Sequence, residues 1–357
     1  MKKNFLKIIL INIFLILFFS LGAEILLRIF LSRRNFTKLA IFEFTEKLRT
    51  YFHVNKYGGI EKINLQPEFK CLSEGIIAKD QELFNFLYEK YEVGFREFIE
   101  IAKPSKVIML YLPMFEKEDE SKYFFESLAK RYSIDFLDLS NLLRTSSNFD
   151  DWTLHPENGH LSRFGNKKVA RELVNFSYDI LSELDNQNFR TYDLKAVKAS
   201  LEPNKSNIWN IVPSMPYRVT TNDKGFRNSS NVKNDAKHII VYGDSYTFGP
   251  YLPNHDTFTS LANKLILESY PNDDIQFLNA GIAGSTIFHQ IETLKSTIDL
   301  NPNLIILQVL DNDIPGVSFM HMRRMAPVRV LKKELFEPSE FETLFIKDCK
   351  NKIKNNL

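Results

Sequence analysis

The sequence predicts an α/β fold with a mainly parallel sheet, and two stretches of alternating strand and helix patterns predict it. The first runs from KVIMLYL (Lys106 to Leu112) through the helix-like EDESKYFFESLAKRY to IDFLDLS (Ile134 to Ser140). The second holds HIIVY (His238 to Tyr242), IQFLNA (Ile275 to Ala280) and LIILQVL (Leu304 to Leu310), separated by LANKLILESY and FHQIETLKSTI. Short, nearly continuous apolar runs suit strands covered on both faces. Strands joined through helices are parallel, with right-handed crossovers.

The bulk numbers agree with a folded body. In 357 residues, 44% are hydrophobic and 13% aromatic, ample for a packed core. A net charge of +2 with 25% charged residues gives no basic footprint, so no nucleic-acid partner is expected. At the N-terminus, Lys2, Lys3 and Lys7 precede an uncharged run from Ile8 to Ala23 that resumes after Glu24 as ILL before Arg28. That is close to the apolar length of about 20 residues that a bilayer span needs. Residues 1–35 are therefore expected to form an uncleaved membrane anchor with the body in the periplasm or outside the cell; cleavage near Ser20-Leu21-Gly22 is the alternative. Basic residues flank both ends of the span, so this placement rests on its signal-like order rather than on charge counting.

Two cysteines, Cys71 and Cys349, make no disulfide framework and no metal-ligand spacing. Two buried or idle thiols are the expected reading; a single bridge between them in an oxidising compartment is the alternative, which sequence alone does not test because it gives no backbone separation. No metal and no cofactor are expected.

Between these landmarks the pattern is simpler. Residues 36–78 are mixed, with a turn at Tyr57-Gly58-Gly59, and a helical pattern runs from about Asp80 to a stop at Pro104. Residues 141–161 read as a polar loop, and Ser162 to Leu184 as a helix with apolar Val169, Leu173, Phe176 and Ile180. The expected division is an anchor (1–35), a first segment (36–185), a polar linker (186–210) and a second segment (211–357), with no internal repeat.

Candidate chemistry starts at Gly243-Asp244-Ser245. A serine hydroxyl needs a base to take its proton and preorganised donors for the oxyanion it creates. The tripeptide alone reads as a strand-to-helix turn with an N-capping Asp or Ser. NAGIAG (Asn279 to Gly284) and LDND (Leu310 to Asp313) end the two following strands, and in a parallel sheet such ends converge on one crevice.

With GDSYTFG, these blocks resemble the SGNH (GDSL-type) hydrolase family, esterases and acyl hydrolases. The resemblance implies a flavodoxin-like three-layer α/β/α sandwich with Ser245 as nucleophile. It also implies an oxyanion hole from the backbone N–H groups of Ser245 and Gly284 and the side-chain amide of Asn312. Leu310 stands where the family usually has glycine, which is read as a local packing difference. The family's last block, an acid and a histidine before the final helix, is absent after Asp313 and is matched instead by DDWTLHPENGHLSRFGNKKVA. The halves thus look exchanged, an apparent circular permutation, with tandem remnants or a swapped dimer as the rival arrangements.

Within that block, His160, Gly165 and Ala170 match the family spacing, with Glu157 three residues before His160 as the acid. His155 with Asp151 is the alternative pair, although the usual spacing would put Trp152 at the acid position. His238, His255, His289 and His321 read as structural or surface residues. Asp244, Asn279 and Asp313 read as braces for the turns. TTNDKGFRN (Thr220 to Asn228) resembles a segment that often precedes the GDS strand in anchored members, and reads here as a plain connecting loop.

The expected protein is a membrane-anchored serine esterase or acyl hydrolase working through an acyl-enzyme. Its partners would be an acyl-ester substrate, by resemblance an O-acetyl carbohydrate, and the membrane through its N-terminal helix. An O-acyltransferase using the same site and a non-catalytic, degenerate binding protein are the alternatives. The oligomeric state is not set by the sequence.

Overall fold

The computed structural model describes residues 52–54, 60–62, 67–114, 121–146, 148–154, 159–183, 197–209, 215–325 and 333–355. The expected anchor, residues 1–35, lies outside them, and among the described residues no helix is long and apolar enough to cross a membrane. The chain divides into two compact units, Met1–Leu65 and Gln66–Leu357. In the first, β1 (Phe52–Val54) pairs antiparallel with β2 (Ile60–Lys62).

The second unit opens with α1 (Pro67–Ile77), α2 (Gln81–Ala102), β3 (Lys106–Tyr111), α3 (Lys122–Arg131) and β4 (Asp135–Asp138). Next come α4 (Ser140–Ser146), α5 (Phe149–Trp152), α6 (Arg163–Glu183), β5 (Ser206–Trp209) and β6 (Tyr217–Thr220). The remaining elements are β7 (Lys237–Tyr242), α7 (Ser245–Phe248), α8 (Phe258–Ser269), β8 (Ile275–Asn279), α9 (Ile287–Lys295), β9 (Leu304–Val309), α10 (Asp313–Gly316), α11 (Phe319–Met325) and α12 (Glu340–Asn355).

Five strands form one sheet in the order β4-β3-β9-β7-β8, with every neighbouring pair parallel. The central seam joins the two expected segments: β3 runs in register with β9 from Lys106 opposite Leu304 to Tyr111 opposite Val309. Alternate residues of each strand face opposite sides. Val107, Met109, Ile240, Tyr242, Ile305 and Leu307 pack in one core with Phe95 and Phe98 of α2 and Ile291 of α9. Ile108, Leu110, Ile239, Val241 and Ile306 pack in the other with Val169 and Leu173 of α6 and Ala262 of α8. Both faces are covered by helices, so the central strands are apolar at most positions, with Gln308 of β9 a buried exception.

The helix expected from Asp80 forms because Asp80 caps it, accepting from Leu83 N at 3.0 Å, and its buried stripe Tyr91, Phe95, Phe98 and Ala102 keeps helical spacing up to the stop before Pro104. Three expectations change. The polar loop of 141–161 contains α4 and α5, each of which anchors a fully buried apolar side chain, Leu143 and Trp152, in the second core. Of the linker, residues 197–209 are built into the fold: Val197 and Ala199 are buried, and β5 pairs antiparallel with β6. The two cysteines are bonded to each other, because packing of α1 against α12 brings their Cα atoms to 5.9 Å, within bridging range.

Candidate active site

The strand β7 delivers Ser245 to the carboxyl edge of the sheet. Asp244 caps α7, its Oδ1 accepting from Tyr246 N at 2.9 Å, and Gly249, at φ +76°, ends the helix after one turn. Ser245 is half-buried. Its Oγ lies 2.8 Å from His160 Nε2 and donates more weakly to Asp244 Oδ2 at 3.3 Å.

His160 comes from the other segment of the chain, on a loop held at its base. Leu154 N donates to His160 O at 2.8 Å, and Thr153 bridges Leu161. Ser162 N donates to Trp152 O at 2.9 Å. Gly165 lies so close to that same carbonyl that a Cβ would sit 2.2 Å from its oxygen, which explains a glycine at the start of α6. Asn166 ties the loop to the other segment: its Nδ2 donates to Ser162 O at 2.9 Å while its Oδ1 accepts from Phe258 N at 2.8 Å. Tyr251 places its ring 5.8 Å from the imidazole, edge on.

Asn312 follows β9 and is exposed at this edge. Its Nδ2 donates to Asp244 Oδ2 at 3.4 Å, so one carboxylate oxygen serves both Ser245 and Asn312. A primary amide has two N–H donors, and this contact uses one. Gly284, at φ +74°, sits in the turn after β8. That turn is tied to the nucleophile segment, since Ile282 N and Ser285 Oγ each donate to Gly243 O at 3.1 Å. Gly281 in the same turn approaches α7 so closely that a Cβ would meet Phe248 N at 2.4 Å.

Asp313 and Leu310 close the third turn on themselves. Leu310 N donates to Asp313 Oδ2 at 2.9 Å and Asp313 N donates to Leu310 O at 3.0 Å, while the Leu310 side chain fills the core where a glycine was expected. Burial, followed by the charges of Asp244 and Asp311, pushes the Asp313 carboxyl well above the ordinary range. Burial also raises Asp244, against the hydrogen bonds from Tyr246, Asn312 and Ser245 that favour its anion.

Among the expected site residues, the structure brings Ser245, His160 and Asn312 together, with the Gly284 turn fastened beside them. His155 and Glu157 lie outside the described residues. Asp151 is exposed and completes the capping box of α5, accepting from Asn148 N at 3.1 Å. Among the described residues no cluster of His, Cys, Asp and Glu side chains could hold a metal ion.

Sequence reading missed Arg227. This fully buried side chain donates to Phe248 O, Gly249 O (2.6 Å), Leu252 O (2.5 Å) and Asn254 Oδ1 (3.3 Å), fixing the segment that follows α7. The stretch read as a plain connecting loop is thus a brace for the site. Asn228 extends it, donating to Phe277 O at 3.0 Å and accepting from Asn279 N at 2.9 Å. Asn279 in turn donates to Thr247 O at 2.8 Å.

Fold and site together define an α/β protein with a serine and a histidine in contact at the carboxyl edge of a parallel sheet. No family model and no curated protein matches the chain. Among solved structures it is similar to the O-acetyltransferase domain of Pseudomonas putida AlgJ, at TM-score 0.40 and 12% identity, over 74% of this chain and 91% of that one.

Proposed function

We propose that the chain is a serine acyl hydrolase of SGNH type whose catalytic parts come from both segments in exchanged order. The observation that carries this reading is the 2.8 Å contact between His160 Nε2 and Ser245 Oγ, made between residues 85 positions apart. A neutral His160 accepts the Ser245 proton as Oγ attacks the acyl carbonyl carbon. The oxyanion is held by the second N–H of Asn312 and the backbone N–H groups of Ser245 and Gly284. His160 then gives its proton to the leaving alcohol oxygen, and water, deprotonated by His160, releases the acid from the acyl-enzyme. Glu157 is the proposed acid that orients His160.

Transfer to a sugar hydroxyl would follow the same steps with an alcohol replacing the water. An acyl ester on a carbohydrate is the proposed substrate. Mixing of strands from both segments in one sheet supports a permuted domain over tandem remnants. The Cys71–Cys349 bond favours an oxidising compartment, in keeping with an N-terminal anchor and a body outside the cytoplasm.

The test is labelling of the full chain by a fluorophosphonate, with mass spectrometry to locate the adduct. Wild type is expected to label at Ser245, and His160→Ala to lose labelling. Asn312→Ala should lower ester turnover by about 100-fold or more, as loss of an oxyanion donor does elsewhere. Unlabelled wild type would favour the non-catalytic binding protein, and labelling that persists in His160→Ala would remove His160 as base. Adding an alcohol acceptor and analysing products separates transfer from hydrolysis.

A further inference from the structure

Tyr246 directly follows Ser245, is buried, and donates a hydrogen bond of 2.8 Å to the carbonyl of Gly159, the residue before His160. Its ring lies 5.4 Å from the imidazole, tilted by 43°. We propose that Tyr246 is a positioning residue that holds the His160 loop from the nucleophile's own helix and so fixes the separation of Ser245 and His160. This rests on reading those two residues as nucleophile and base.

The geometry argues for a restraint that packing alone does not supply. On its far side His160 is held by Leu154 N donating to its carbonyl. On its near side Gly159 is exposed, and a Cβ there would meet nothing within 4 Å. The Tyr246 hydroxyl is a specific tie on that side. Because Ser245 and Tyr246 are neighbours in one helical turn, any shift of α7 moves nucleophile and tie together. Burial, then the charges of Asp244 and Asp311, pushes the phenol well above its ordinary value, so it remains a donor. Misplacing a base by about 1 Å costs on the order of 100-fold in rate, so a tie that removes smaller excursions has a measurable share.

The experiment compares full-length wild type, Tyr246→Phe, Tyr246→Leu and Ser245→Ala in hydrolysis of p-nitrophenyl acetate and in rate of fluorophosphonate labelling. Tyr246→Phe removes one hydroxyl and keeps the ring. Its kcat and labelling rate are expected to fall about fivefold, the worth of one neutral hydrogen bond, with KM unchanged and the thermal unfolding midpoint lowered by no more than about 4 °C. Tyr246→Leu, which also loses the ring, should fall further. Tyr246→Phe turning over and labelling like an active wild type would overturn the proposal, as would a loss confined to KM. Wild type with no Ser245-dependent turnover or labelling would instead overturn the serine-enzyme reading beneath it.

Discussion

Asp313 shows at the scale of one residue how the site's polarity is set. Asp244, Asp311 and Asp313 influence one another where β7 and β9 end, beside the buried phenol of Tyr91. Asp311 accepts from Tyr111 Oη at 3.1 Å and from Ser121 N at 2.9 Å, and Asp244 accepts from the backbone N–H groups of Ser245 and Tyr246 and from the side chains of Ser245 and Asn312. Asp313 Oδ2 accepts from Leu310 N, whereas its buried Oδ1 has no hydrogen-bond partner in the protein. Burial first and the Asp244 charge second both raise its pKa, shifting the balance toward the neutral acid. A carboxyl whose folded pKa is raised contributes stability that is fully present below its unfolded value, near 3.8, and lost as pH rises through the folded value. Asp313→Asn keeps an acceptor for Leu310 N and cannot ionise. Its thermal midpoint, relative to wild type, should therefore climb as pH rises from about 4 through the raised value. A difference between the two proteins that stays constant with pH would refute this account of Asp313.

At the scale of elements, α7 is a single turn that depends on its surroundings. Arg227 supplies four hydrogen bonds to the residues that end and follow it, with its guanidinium 4.6 Å from the Phe248 ring centroid and 5.6 Å from that of Tyr217. Burial lowers its pKa to about 10, which leaves it a cation at neutral pH. Lysine has no planar fork to serve several carbonyls at once. Arg227→Lys is expected to cost about 3 kcal/mol in urea unfolding, because buried carbonyls lose their donors, and to slow labelling of Ser245 under native conditions. Unchanged stability would show that these carbonyls find other donors. This brace was not legible in the sequence, since an arginine that binds backbone carbonyls leaves no mark in composition or spacing. The sheet strands were legible because cover on both faces demands runs such as LIILQVL. The β5 and β6 pair was missed because SNIW is short and mostly exposed, so no face of it needs to be apolar. The meeting of Ser245 with His160 was readable only through matching blocks, and the His155 alternative survives because that part of the loop lies outside the described residues.

At the scale of the whole molecule, the described residues beyond β9 add no further strand to the sheet, and α12 packs against α1. Buried Glu342 on α12 accepts from Phe319 N at 2.7 Å and Ser339 N at 2.9 Å and pairs with Lys90 of α2 at 3.5 Å. Desolvation lowers Lys90 even against the pull of Glu342, so the pair is better read as a locator for α12 than as a large source of stability. The covalent tie is Cys71–Cys349, which closes a loop of 278 residues in sequence and joins the first helix of this unit to its last. A bond closing so long a loop acts chiefly by restricting the unfolded chain. Replacing both cysteines by serine should therefore lower stability by about 2–5 kcal/mol, the usual cost of losing a native disulfide. Urea unfolding of wild type with and without reductant, beside Cys71→Ser/Cys349→Ser, measures this: reductant should shift the wild-type midpoint down to that of the variant and leave the variant unmoved. Labelling of Ser245 in native buffer should be unchanged, because β7, α6 and the loop bearing His160 are held by contacts in which neither cysteine takes part. A labelling rate that fell together with the midpoint would mean that α1 and α12 support the site directly.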